Sequence, residues 1–222
     1  MMPTYPVAEI FTSINGEGVL AGQLAVFVRF TGCNLRCSFC DTMWANEPNA
    51  PHQDMTAEQI VRAVLDTGMH NVTLTGGEPL LQSHMYELLS LFAEHPQLHI
   101  EIETNGSMDL SPYRTIPQVT FTMDCKLSCS GMQDRMLEGN FSLLRSCDTV
   151  KFVAGTRDDL EQAWAITRKH HLLDRCHVYL SPVFGAIEPT EIVDFMKEHR
   201  WNGATMQLQL HKFIWDPNAR GV

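Results

Sequence analysis

The stretch Leu24-Ala-Val-Phe-Val-Arg-Phe-Thr-Gly-Cys-Asn-Leu-Arg-Cys-Ser-Phe-Cys40 runs from an apolar segment straight into three cysteines spaced CxxxCxxC. Leu24 to Phe30 predicts a buried strand, because β-branched and aromatic side chains suit a pleated, packed surface. The cysteines fill the loop at its carboxyl end. Downstream, Thr56-Ala-Glu-Gln59 predicts a capping box that opens an apolar-periodic helix ending at Gly68. Asn71 to Thr75 predicts a second strand, running into Gly76-Gly77-Glu78-Pro79. A helix over His84 to Glu94 and a strand over Leu98 to Thr104 follow. Further strands are predicted at Val119–Met123, Thr149–Val153, His177–Ser181 and Thr205–His211, with helices at Asp158–His171 and Glu188–Arg200. Asn46 to Gln53 is polar and Pro-rich and reads as a surface loop.

About seven strands alternating with helices predict an α/β fold with a mostly parallel sheet. That is fewer than the eight units of a full barrel, so the expectation is a partial or modified (β/α) TIM-type barrel. We expect a single domain over residues 1–222, with no repeat and no linker. Lys plus Arg number 16 against 26 Asp plus Glu, a formal charge of -10. That argues against nucleic acid as a partner, since phosphate backbones require basic surfaces. No apolar run is long enough to span a membrane and the amino terminus is not a signal peptide, so a cytoplasmic protein is expected. In that compartment seven cysteines point to metal or catalytic chemistry rather than disulfides.

The three cysteines, Gly76-Gly77-Glu78-Pro79, Glu103-Thr104-Asn105-Gly106, Asp124-Cys125-Lys126 and Ser181-Pro182 all follow predicted strands. In parallel α/β sheets ligands bind at that edge. Thiolates select zinc, Cu(I) or iron–sulfur clusters. His52 could complete a Cys3His zinc site, although the spacing is a poor zinc-finger pattern. A [4Fe–4S] cluster held by three thiolates would instead leave one iron open to an exogenous ligand.

CxxxCxxC with Phe39 before the last cysteine, followed by Gly76-Gly77-Glu78-Pro79, resembles the radical S-adenosylmethionine superfamily. The resemblance implies Cys33, Cys37 and Cys40 as cluster ligands and Phe39 against adenine. It also implies Gly76 and Gly77 as the place where backbone approaches the methionine moiety. Glu9-Ile-Phe-Thr-Ser-Ile-Asn-Gly-Glu-Gly18, Cys40-Asp41-Thr42, Ile102-Glu-Thr-Asn-Gly106 and Leu210-His-Lys212 extend the likeness nearly end to end. Together they are similar to the 7-carboxy-7-deazaguanine synthase family. That likeness implies a ring contraction of 6-carboxy-5,6,7,8-tetrahydropterin, with loss of ammonia, on the way to queuosine and other deazapurines. It implies S-adenosylmethionine bound by Phe39, Cys40, Asp41, Gly77, Asp124, Cys125, Lys126, Ser181, Pro182, Val183 and Phe184. It implies Mg2+ at Thr42, and pterin contacts from Ile14, Asn15, Gly16, Arg29, Thr75, Glu103 and His211. Asn15 stands where many relatives carry Gln, and Asp124-Cys125-Lys126 departs from the Ser-Pro-Lys of others. A homodimer and a low-potential reductant of flavodoxin type are the implied partners.

Glu101 and Glu103 share one strand face by the period of two. Cys129, Cys147 and Cys176 read as ordinary thiols. Two other readings compete: an activase that installs a glycyl radical on a partner enzyme, and a zinc-stabilised binding module without catalysis.

Overall fold

The computed structural model describes residues 3–217 and 219–222. At its centre lies one sheet of nine strands in the order β3-β1-β2-β4-β5-β6-β7-β8-β9. These are β1 (Thr4–Ile14), β2 (Leu24–Phe30), β3 (Gln53–Thr56), β4 (Asn71–Gly76), β5 (His99–Thr104), β6 (Val119–Cys125), β7 (Thr149–Ala154), β8 (His177–Pro182) and β9 (Ala204–Met206). From β2 onward every neighbouring pair is parallel. β1 is antiparallel to both β2 and β3. The sheet does not close, so the α/β, mostly parallel, partial-barrel expectation describes it.

Alternation along each strand sorts side chains onto two faces. Val26, Val28, Val72, Leu74, Ile100, Ile102, Val150 and Phe152 lie in the apolar core with Ile60 and Val64 of α1 (Ala57–Asp66) and Leu88 and Phe92 of α2 (Met85–Phe92). Leu160 of α3 (Arg157–Lys169) and Phe195 of α4 (Pro189–Glu198) complete that layer. Full burial of each such side chain contributes about 1.5–3 kcal/mol. The predicted capping box is present: Thr56 Oγ1 accepts from the Gln59 N–H, and Gln59 Oε1 accepts from the Thr56 N–H. Between β5 and β6 only a short 3-10 turn, Ser111–Tyr113, intervenes.

One strand is unforeseen and two local expectations are corrected. β1 carries Pro6 and a register shift between Val7 and Glu9, which breaks the alternation that would have marked it as a strand. The segment read as a surface loop ends in β3, paired with β1, and Asn46 is buried in the turn after the cysteines. The strand expected over Thr205–His211 stops at Met206, and His211 opens a short helix, α5 (His211–Ile214).

Candidate active site

The face of the sheet turned from the helices is polar. Cα pairing sets Glu9 opposite Arg29, Arg29 opposite Thr75, and Asp124 opposite Lys151. With Glu101, Glu103, Thr122 and Ser181 they form a row of charged and hydroxyl side chains in a sheet whose other face is hydrocarbon. The loop after β1, Asn15–Gln23, folds across this face. Asn15 Oδ1 accepts from Thr73 Oγ1 at 2.9 Å, Glu17 Oε2 lies 3.0 Å from Lys151 Nζ, and Glu17 Oε1 accepts from Ser181 Oγ at 2.6 Å. Gln207 holds Gly18 through both N–H and C=O, and the Leu210 N–H bonds the Gly16 carbonyl. The loop therefore reaches β4, β7, β8 and the segment after β9. The sheet must curl around it, and the loop fills the concave side.

Above that plug, at the carboxyl ends of the strands, stand the residues singled out from sequence. Cys33, Cys37 and Cys40 are half-buried free thiols close enough to influence one another electrostatically. Burial raises the Cys37 and Cys40 thiols, with Lys126 opposing it at Cys37 and the Thr42 backbone N–H at Cys40. Among the described residues no three His, Cys, Asp or Glu side chains converge on a point for a single metal ion. His52 faces the Ala50 carbonyl at 2.7 Å and Asp54. This donor set does not assemble a Cys3His zinc centre. Three soft ligands on one short loop, with amide donors beside two of the sulfurs, fit a cluster with one open iron.

Gly76 and Gly77 serve packing. A Cβ on Gly76, where φ is +129°, would lie 2.2 Å from the Phe30 carbonyl oxygen; one on Gly77 would lie 1.8 Å from that of Gly32. The two glycines let the end of β4 lie directly against the cysteine loop. Hydrogen bonds from Gly77 N–H to Phe30 O and from Glu78 N–H to Gly32 O join the two segments. The side of Gly77 where a side chain would stand is filled by Gly32 and Asn46, so only backbone remains for a cofactor contact.

Glu78, which the sequence reading left without a role, is the fastener of this edge. It is fully buried and accepts from Leu80 N–H at 3.0 Å, Thr104 Oγ1 at 2.9 Å and Asn105 N–H at 2.6 Å. Burial outweighs those bonds and pushes its carboxyl up to about 7. Lys151 was missed as well. Its ammonium bridges Glu17 and Asp124, each at 3.0 Å, and these carboxylates hold its pKa well above the usual value despite burial. Burial pushes Asp124 upward, but Lys126 and Lys151 overcome this and hold it below the usual carboxylate value. A lysine in the otherwise apolar run Thr-Val-Lys-Phe-Val-Ala was the available signal.

Other expected residues fall in different places. Arg29 lies on the concave face with its Nε–H held by Glu9 at 2.8 Å. Thr75 Oγ1 donates to Glu103 Oε2 at 2.7 Å. His211 packs on Gly16, where a Cβ would come within 2.6 Å of its Nδ1; burial lowers its pKa, with Glu17 opposing. Thr42 Oγ1 donates to Asp41 Oδ1 at 2.9 Å. Ser181 is on the concave face, Pro182 is buried, Val183 half-buried, and Phe184 exposed with its edge toward Phe213. For two expected residues strand parity turns the side chain away from the concave face and leaves only backbone for a contact. Cys125 points into the helix-side core, where burial pushes its thiol up to about 12, so its side chain does not line the pocket. Ile14 pairs with Leu24 and shares the parity of Ile10 and Thr12, away from Glu9 and Arg29. The carboxyl-terminal segment meets the turn after the cysteines: Arg220 lies over the Trp44 ring at 4.5 Å and Lys212 Nζ is 3.8 Å from Asp41.

Glu101 gives the site a pH signature. Burial, then the neighbouring Glu103, pushes its carboxyl from 4.5 to about 7. A raised carboxylate stabilises the folded state fully below the unfolded value and loses that contribution as pH rises through the folded one. At 1.36 kcal/mol per pKa unit the loss is about 3 kcal/mol at most. Glu101→Gln should therefore flatten the fall in urea midpoint between pH 5 and pH 8. Equal slopes in variant and parent would remove Glu101 as its source.

The signature of the Radical SAM superfamily matches residues 27–123. The 7-carboxy-7-deazaguanine synthase of Clostridium acetobutylicum is 49% identical over 219 residues, covering 98% of this chain and 99% of that one. That of Chlorobaculum tepidum is 38% identical, covering 97% and 96%. The crystal structure of QueE from Escherichia coli superposes with a TM-score of 0.73 at 21% identity, over 93% of this chain and 94% of the other, and so shares the fold.

Proposed function

Because the chain belongs to the 7-carboxy-7-deazaguanine synthase family within the radical S-adenosylmethionine superfamily, we propose that its concave face contracts the ring of 6-carboxy-5,6,7,8-tetrahydropterin. The product is 7-carboxy-7-deazaguanine, with ammonia as leaving group. The protein is a radical enzyme using a [4Fe–4S] cluster and S-adenosylmethionine. The observation that carries the substrate assignment is one row on one face: Arg29, Thr75, Glu103, Glu101 and Lys151, at the sheet edge that also bears the three cysteines.

When bound, the cluster and S-adenosylmethionine would supply carbon-centred radical chemistry at C6 of the substrate. The chain's own residues do the rest by holding and shielding. Glu9 takes the Arg29 Nε–H, leaving the terminal guanidinium nitrogens to meet a substrate carboxylate as a fork. Glu101 and Glu103 suit the amino and ring N–H donors of a pterin, and a protonated Glu101 can donate to a ring oxygen or nitrogen. Asn15, on Thr73, and Gly16, against His211, would border the bound pterin from the plug loop and α5. The plug keeps bulk water from the concave side, which protects a reactive substrate species.

Mg2+ would bind at Thr42, where the hydroxyl and the adjacent Asp41 carboxylate offer hard oxygen donors. A low-potential, flavodoxin-like reductant, a homodimer and a cytoplasmic location complete the reading. All seven thiols are free, as suits a reducing compartment, and among the described residues no helix is long and apolar enough to cross a membrane.

The test is anaerobic turnover of reconstituted protein with S-adenosylmethionine, dithionite, Mg2+ and the carboxypterin, read by mass spectrometry. Arg29→Ala should keep cleavage of S-adenosylmethionine while turnover falls about 100-fold, the worth of a charged hydrogen bond. Undiminished turnover would take Arg29 out of the site. Deoxyadenosine without deazaguanine, from the parent protein, would keep the radical chemistry and reject the substrate.

A further inference from the structure

Reduction of an iron–sulfur cluster places additional negative charge on its metal and sulfur atoms. N–H groups aimed at the cysteine sulfurs therefore favour the reduced state and raise the potential. Two side-chain amides from outside the CxxxCxxC run are placed this way.

Asn105 stands just beyond β5. Its Oδ1 accepts from both the backbone N–H (2.9 Å) and the hydroxyl (2.6 Å) of Ser107. With the oxygen so occupied, Nδ2 must face the other way. There it meets Asn34 Oδ1 at 3.0 Å and Cys33 Sγ at 3.5 Å. The backbone is anchored too, through Asn105 N–H to Glu78 Oε2. The orientation is over-determined, and the amide is aimed at sulfur.

Asn46 approaches from the opposite side. It is only 6% exposed, and its Nδ2 lies 3.8 Å from Cys40 Sγ. Its Oδ1 is buried without a donor, beside Gly77, where a Cβ would lie 2.4 Å from it. Leaving a buried amide oxygen without a donor is costly. Burying a polar side chain at that cost, with its N–H toward a cysteine, is the arrangement of a residue kept for the metal group. The remaining ligand, Cys37, has the Lys126 charge nearby.

We propose that Asn105 and Asn46 are positioning residues that set the reduction potential of the cluster, by donating side-chain N–H bonds to the Cys33 and Cys40 thiolates. The proposal rests on the reading of the three cysteines as cluster ligands. The step concerned is the gain of one electron from an external low-potential reductant; no bond is made or broken.

The test is a redox titration of anaerobically reconstituted protein without S-adenosylmethionine or pterin. Electron paramagnetic resonance of the reduced cluster is the readout, and iron and sulfide content the control. At fixed applied potential, Asn105→Ala should lower the reduced-to-oxidised ratio about tenfold, a shift of about 59 mV for one electron. Asn46→Ala should shift in the same direction by less, matching its longer contact. If Asn105→Ala does not load the cluster, Asn46→Ala decides, because its amide is tied into no other side-chain network. Full clusters with unchanged potentials would overturn the proposal. Parent protein that takes up no cluster would overturn the cluster reading and the proposal with it.

Discussion

Replacing Lys151 with methionine should destabilise the apo protein by about 3 kcal/mol and lower turnover at least about 100-fold. The ammonium is buried and touches Glu17 and Asp124 at 3.0 Å each. Removing one partner of a buried ionic group leaves the others uncompensated, at a cost of about 3–5 kcal/mol. Three contacts soften that figure: Lys126 remains on Asp124 at 2.8 Å, and Ser181 and Gln209 remain on Glu17. The kinetic loss has a different origin. Glu17 belongs to the plug loop and Asp124 to the end of β6, so Lys151 ties the plug to the sheet beside the proposed substrate row. Displacing a binding group by about 1 Å can cost about 100-fold. Urea unfolding of apo protein reads the first effect and turnover of the loaded enzyme the second. A variant with parental urea midpoint would show that the triad adds no net stability.

Cys37→Ala should abolish iron uptake and reduce both S-adenosylmethionine cleavage and deazaguanine formation to background. The apo protein should stay within about 1 kcal/mol of the parent, since the residue is a half-buried loop thiol with little packing to lose. Cys129→Ala is the matched control. Its sulfur lies outside the CxxxCxxC loop, 3.8 Å from the Val153 carbonyl. Iron retained by Cys37→Ala at the parental level would break the assignment of CxxxCxxC as the cluster loop. Loss of iron in Cys129→Ala would add a ligand the present site does not contain.

The signals that were legible in the sequence were local ones. Apolar runs with branched side chains marked the parallel strands, because each is buried on its helix face and has no freedom to be polar there. Thr56 and Gln59 marked a helix start, because the cap is made within four residues. The cysteine spacing marked the candidate cluster loop, because all three thiols lie within eight positions of the chain. β1 was not legible: Pro6 and the bulge before Glu9 disturb its period, and its pairing with β2 and β3 is non-local.

What only the tertiary structure decided is which side chains share the cavity. Glu17 and Lys151 are 134 positions apart, Thr75 and Glu103 are 28, and Asn105 and Cys33 are 72. No periodicity connects such pairs; the parallel register of β4 and β5 sets the second, and loops brought together by the fold set the other two. The sheet's register turned Cys125 into the core beside a pocket-facing Asp124, and put the cysteine loop against Gly76 and Gly77. The sequence by itself marked the parallel strands β2 and β4 to β8, the Thr56–Gln59 cap and the CxxxCxxC spacing, since each is specified by neighbours along the chain. The folded sheet decided the row of Arg29, Thr75, Glu103 and Lys151, the Glu78 fastener and the amides on the cysteine sulfurs, since those depend on contacts that exist only once distant strands lie side by side.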